Sequence, residues 1–145
     1  MTTLFEQLST IIRNRRSVFP AQYNDQLIAR DTIDLILENA NWAPTHRKTE
    51  PWRFHVIQGD GLKRLGKYLG DRYQANTLDG GYSEIKHKKT IQKAIKSAAV
   101  IGITYQRCPT ESVPEWEEVA ATAMAVQNIW LTCESLGIGS YWRSP

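Results

Sequence analysis

The 145-residue sequence predicts an α+β domain, and three observations carry that prediction. Two short runs rich in β-branched and aromatic residues, Trp52 to Ile57 and Ala98 to Tyr105, read as strands and stand far apart in the chain. Segments with apolar residues at helical spacing precede, separate and follow them. One of these, from Val119 to Leu131, is apolar on nearly every face, which in a soluble helix means burial in the middle of something. The resulting order, α-α-β-α-α-β-α-β, calls for helices flanking a sheet. The length fits a single domain over residues 1–145.

The first helix runs from Leu4 to Arg13, with Leu4, Leu8, Ile11 and Ile12 on one face, and Pro20 stops any continuation. The second spans Asp31 to Asn41, with Asp31 as its expected N-cap and Ile33, Ile36, Leu37 and Ala40 at helical spacing. Pro44 and Pro51 pin a polar loop ahead of the first strand, in which Trp52, Phe54 and Val56 share a side. After a turn at Gly59 to Gly61, a third helix carries Leu62, Leu65 and Leu69. A loop or mobile lid is expected from Asn76 to Ser83, around Gly80 and Gly81. A basic helix, Glu84 to Lys96, has few apolar residues and belongs at the periphery. The second strand follows. Pro109 and Pro114 bracket an irregular connection to the long helix, Glu115 to Leu136, which Gly137 caps. Ile138 to Tyr141 reads as a last strand. Small residues in the long helix (Ala120, Ala121, Ala123 and Ala125) permit close helix approach, so a subunit interface is expected there as well as a core.

Composition is that of an ordinary globular chain, 41% hydrophobic and 23% charged. The net charge of +3 is uneven: residues 61–107 hold ten basic against three acidic side chains, and residues 108–145 one against five. A mildly basic middle attracts phosphates but falls short of a nucleic-acid-binding composition, and no nucleic acid partner is expected. The two cysteines, Cys108 and Cys133, give neither a disulfide framework nor a metal spacing, so no metal is expected. The N-terminus lacks a basic region followed by an apolar core, and no run is long enough to span a bilayer. The expected location is the cytoplasm, away from membranes.

Three constellations carry chemistry. Arg15-Arg16-Ser17 places two guanidiniums and a hydroxyl just past a helix, a set able to hold a phosphate. Taken alone, it reads more simply as a basic helix end facing the negative pole of the helix dipole. Trp42 to Phe54 presents polar side chains, His46 among them, from a loop framed by two prolines. For His46 alone, a surface or structural role is the plainer reading. The third is Ala125 to Trp130 followed by Gly137 to Ser144, whose glycines allow close backbone approach after the buried helix, with Trp142 placed to stack on an aromatic ligand and Arg143 and Ser144 to hold its polar part.

Together these segments resemble the FMN-dependent nitroreductase family in order and spacing. The resemblance runs through Arg-Arg-Ser, Ala-Pro-x-His-x-x-x-x-Pro-Trp-Arg-Phe, the buried Gln127-Asn128 helix and Gly-x-Gly-x-x-Trp-Arg-Ser. It covers essentially the whole chain and is strongest to the small, minimal bacterial members. It implies a nitroreductase-like fold with a central, mainly antiparallel sheet and a long buried helix at a dimer interface. It also implies a homodimer with FMN bound between the subunits. By position, Arg15, Arg16 and Ser17 would contact the phosphate and pyrimidine end of FMN. Trp42 and His46 would reach the flavin from the partner subunit, and Trp142, Arg143 and Ser144 would lie beside the ribityl-phosphate. Two departures stand out. Lys48 and Glu50 replace the Asn and Gln of many members, which weakens the implied preference for nitroaromatics. Family members also continue past Pro145 with another strand and an arm that embraces the partner, a segment this chain is expected to lack.

The implied activity is hydride transfer from NADH or NADPH through flavin N5 to a small oxidised substrate, such as a nitroaromatic, quinone or enone. The flavin supplies the chemistry, and no protein nucleophile is evident. Arg16 is the expected electrostatic stabiliser of the reduced flavin. The competing reading is a flavin-binding storage or sensor module without efficient turnover.

Overall fold

The structure is a computed structural model that describes residues 2–77 and 80–144. Five helices and two strands follow in the order α1 (Leu4–Asn14), α2 (Arg30–Asn41), β1 (Trp52–Ile57), α3 (Asp60–Asn76), α4 (Glu84–Ile95), β2 (Val100–Tyr105) and α5 (Glu115–Ser135). Single 3-10 turns lie at Pro20–Gln22 and His46–Lys48. The strands pair antiparallel, with Gln106 N–H donating to the Pro51 carbonyl at one end and Gly102 opposite His55 further along. The α+β class is as the sequence predicts.

The chain folds as two compact units. The first comprises residues 1–19, 29–54 and 103–145, and the second residues 20–28 and 55–102. The core of the first unit forms where α2 lies against α5. Ile33, Ile36 and Ala40 of α2 are buried, as are Ala121, Ala125, Val126, Ile129 and Cys133 of α5. Side chains tie the same two helices together: Asn39 Nδ2 donates to Thr132 Oγ1 at 3.1 Å, and Asn128 Nδ2 to the Asn39 carbonyl at 3.1 Å. Packing of this kind is sensitive to volume; Ile36→Ala would cost about 2–5 kcal/mol.

In the second unit, α3 packs on α4 through two glycines. A Cβ on Gly70 would stand 2.7 Å from Ile91 Cγ1, and one on Gly66 3.0 Å from the Ile91 carbonyl. Tyr73, Tyr82 and His87 form a ring cluster beside this contact, and Tyr73 Oη accepts from Ser83 N–H at 3.1 Å. Leu78 and Asp79, within the expected Asn76–Ser83 loop, lie outside the described residues.

The helix ends show where sequence signals were read correctly and where not. Thr3 caps α1 in a full capping box with Glu6. The N-cap of α2 is Ala29, in extended conformation and without a side-chain bond, so Asp31 sits in the first turn rather than at the cap. There its carboxylate still favours the positive pole of the helix. Gly137, at φ 69°, closes α5: its own N–H bonds the Glu134 carbonyl, and Ile138 N–H bonds that of Cys133. That closure folds the chain back onto the helix. The expected strand from Ile138 to Tyr141 is reduced to one parallel bridge, Ser17 to Ser140.

Two helices leave apolar surface open. No residue of α1 is buried, and Leu4, Phe5, Leu8 and Ile12 are all exposed, Phe5 by 75%. On α5, Trp116, Val119 and Met124 are exposed as well, so this helix is not covered on every face.

Candidate functional site

Both clusters of interest belong to the first unit and lie at opposite ends of α5. At its C-terminal end, Arg15 closes α1 with its backbone N–H on the Ile11 carbonyl, 3.0 Å away. The next residues are pinned to the chain after α5, where Val18 N–H bonds the Ser140 carbonyl at 3.0 Å and Ser17 forms its bridge. This places the Arg15 guanidinium carbon 4.1 Å from the ring centroid of Trp130, in cation–π contact. Arg15 Nη1 is buried without a hydrogen-bond partner among the described residues, and so is Trp130 Nε1. Ser140 Oγ is buried too, near the Cys133 thiol. Burial pushes that thiol above its ordinary range, and the Ser140 hydroxyl partly offsets the shift.

The remaining predicted residues of this end are less engaged. Arg16 curls back, donating from Nη1 to the carbonyls of Arg13 at 2.5 Å and Arg15 at 2.8 Å. Trp142 is half exposed, and Arg143 Nε bonds the neighbouring Ser144 carbonyl. Tyr141 stacks at a tilt on Phe19, with centroids 5.2 Å apart. The structure therefore brings Arg15, Ser17 and the start of the 140–144 segment together.

Trp42 and His46 are elsewhere. Trp42 is 79% exposed, its Nε1 held by Glu38 at 3.1 Å. His46 Nδ1 lies 2.6 Å from Glu117 Oε2 in the first turns of α5. Around it the backbone is strained: Arg47 (φ 54°), Lys48 (φ 54°) and Glu50 (φ 42°) all adopt left-handed conformations. Each costs on the order of 1–3 kcal/mol and persists only where the surroundings over-determine it. Here Thr45 Oγ1 bonds Thr49 Oγ1 and accepts from Glu50 N–H, while Arg53 Nη1 grips the Glu50 carbonyl. A groove of about 370 Å³ opens beside the loop, walled by Pro44, His46, Trp116, Glu117, Ala121 and Met124.

One residue further along α5, Glu118 is buried. Burial alone would raise its carboxyl, but the Arg107 guanidinium, the Cys108 N–H and the Thr49 hydroxyl together hold it below the ordinary value. Arg107 and the Cys108 N–H bond it directly. The neighbouring carboxylates Glu117 and Glu118 thus brace the His46 loop and the loop before α5. Sequence reasoning missed Glu117 and Glu118, and it placed Trp130 in a candidate stretch without giving it a role. Glu117 lies 71 residues from His46, and no local pattern marks that pair. Among the described residues no group of three or more His, Cys, Asp or Glu side chains is placed to hold a metal.

These features define an α+β protein organised around one long helix, with unpaired buried donors at one end and a braced histidine loop at the other. The chain belongs to the nitroreductase family: the model described as "Nitroreductase family" matches residues 12–145. It is 28% identical over 144 residues to "Putative NAD(P)H nitroreductase YfhC" of Bacillus subtilis (strain 168), covering 94% of this chain and 69% of that protein. Among solved structures, the nitroreductase-like family protein from Bacillus cereus superposes with a TM-score of 0.77 at 24% identity, covering all of this chain (100%) and 73% of that one. A nitroreductase with bound FMN from Bacteroides fragilis NCTC 9343 gives a TM-score of 0.68 at 23% identity, over 90% of this chain and 66% of that one. The nitroreductase-like fold expected from the sequence is thus found.

Proposed function

We propose that this chain is an FMN-dependent oxidoreductase, active as a homodimer in the cytoplasm. It takes hydride from NADH or NADPH and passes it to a small oxidised acceptor of the nitroaromatic, quinone or enone class. The observation that carries this reading is the pair of buried, unpartnered donors, Arg15 Nη1 and Trp130 Nε1. A buried donor left unsatisfied costs about 1–3 kcal/mol, so two side by side call for a ligand that completes them. Both groups only donate. They fit an acceptor-rich molecule such as the phosphate or ring carbonyls of FMN, and they do not fit a cation.

Ser17, Arg143 and Ser144 extend that donor set along the same stretch of chain. Arg16 has Nη1 committed to two carbonyls. That anchoring makes its guanidinium a fixed cation, suited to stabilising negative charge on a bound ring. Bound FMN supplies the two-electron chemistry; the chain binds it, orients it and tunes it.

Trp42 and His46 belong to this site through a second copy. Glu117 and Trp130 are thirteen residues apart on α5 (130 less 117), so the two clusters stand roughly 20 Å from each other within one chain. One molecule of FMN reaches both only where two chains meet, with one supplying the Arg15 end and the other its Trp42 and His46. The open apolar face of α1, with Leu4, Phe5, Leu8 and Ile12 exposed, supports that association. The visible spectrum of the purified protein tests the reading. Flavin bands that bleach on anaerobic addition of NADPH support it. Bands that persist would indicate binding without turnover, and a colourless protein would remove the proposal.

A further inference from the structure

His46 is braced more firmly than a surface histidine requires. Its Nδ1 lies 2.6 Å from a carboxylate oxygen of Glu117. A carboxylate oxygen accepts, so Nδ1 is the nitrogen that carries the proton in this pair. Nε2 has no partner among the described residues. The loop that presents the ring holds three left-handed residues in place, an arrangement maintained by the bonds of Thr45, Thr49 and Arg53. The groove it borders is otherwise mostly apolar, with Pro44, Ala121, Trp116 and Met124 as walls. A flat, apolar acceptor seated there would meet one ring nitrogen able to exchange a proton.

We infer that His46, oriented by Glu117, is the residue that delivers a proton from Nε2 to the acceptor reduced in this groove. The inference rests on the oxidoreductase reading, which requires such a proton. Reduction of a quinone-class acceptor follows NAD(P)H + acceptor + H⁺ → NAD(P)⁺ + dihydro-acceptor. Hydride accounts for both electrons and one hydrogen. The other hydrogen is the proton: the Nε2–H bond of the imidazolium breaks as an O–H bond forms on the acceptor oxygen. The imidazole then regains its proton from water, to which the side chain is 57% exposed. Glu117 is a positioning residue, accepting from Nδ1–H and so fixing the orientation of the ring.

The test compares two acceptors during reoxidation of the pre-reduced flavoprotein by stopped flow. Benzoquinone needs protons to complete its reduction; ferricyanide takes electrons alone. Per bound flavin, His46→Gln should lower the benzoquinone-to-ferricyanide rate ratio roughly 100-fold, with Glu117→Gln intermediate. In addition, ¹⁵N–¹H spectra of the purified protein should show His46 protonated at Nδ1, and Glu117→Gln should shift that proton towards Nε2. A flavoprotein in which His46→Gln leaves both acceptors unchanged, or slows both equally, overturns the inference alone. An Nδ1 that carries no proton in the unaltered protein also overturns it alone, since the Glu117 pairing requires one. A protein without flavin overturns the oxidoreductase reading and this inference together.

Discussion

The two ends of α5 handle polar burial in opposite ways. At the N-terminal end the carboxylates are answered from within the chain: buried Glu118 meets Arg107, the Cys108 N–H and Thr49, and half-buried Glu117 meets His46. At the C-terminal end Arg15 Nη1 and Trp130 Nε1 are buried with no hydrogen-bond partner among the described residues. Folded chains rarely leave buried donors unpaired, so the contrast separates a fixture finished by its own fold from a site finished by something outside it. On this view the first end provides rigidity and the second provides affinity.

That contrast can be broken by substitution. Replacing Arg15 and Arg16 together with Ala should have the largest effect, weakening FMN retention on the order of 100-fold while leaving the fold intact, because charge-assisted bonds contribute most. Flavin content per chain, read from the absorbance spectrum, checks it; unchanged content would show that the unpaired donors serve no flavin. Glu118→Gln should instead act on stability, lowering Tm by on the order of 10 °C by leaving Arg107 without its countercharge. The pH dependence follows from the sign of the shift. The folded carboxyl lies below its ordinary 4.5, so its contribution is present above that pH and is lost as pH falls through the folded value. Thermal melts should therefore show the unaltered protein losing its advantage over Glu118→Gln only below about pH 4.5. The smallest effect is expected for Trp130→Phe, which keeps a ring beneath Arg15 but removes one orphan donor. Flavin affinity should fall roughly threefold to tenfold while thermal stability holds or rises. A loss of stability there would mean that the indole N–H has a structural partner after all.

Much of the fold is legible in the sequence, because periodicity and punctuation act locally. The five helices and both strands sit where apolar spacing puts them, and Gly137 ends α5 because only a residue at ease with positive φ closes that helix. Legibility fails where the deciding contact is distant or the signal ambiguous. Asp31 looks like a cap by type, yet the chain turns helical two residues earlier, from Ala29. Ile138 to Tyr141 has a strand's composition, but the backbone bonds at Gly137 and Ile138 leave only Ser140 to pair. The candidate site divides in the same way. Arg15 to Ser17 and Trp142 to Ser144 stand out as motifs. The partners that give the site its physics, Trp130 under Arg15 and Glu117 on His46, come from α5 by tertiary contact. The left-handed backbone at Lys48 and Glu50 carries no sequence mark either, since neither residue favours it.

The central claim is that two chains grip one flavin, and size-exclusion chromatography with light scattering and flavin absorbance reads it directly. The prediction is flavin that elutes with a particle of twice the 16.6 kDa chain mass, and a Leu8→Asp change on the open face of α1 that releases flavin and halves the particle together. Flavin carried stably by a 16.6 kDa monomer would contradict it.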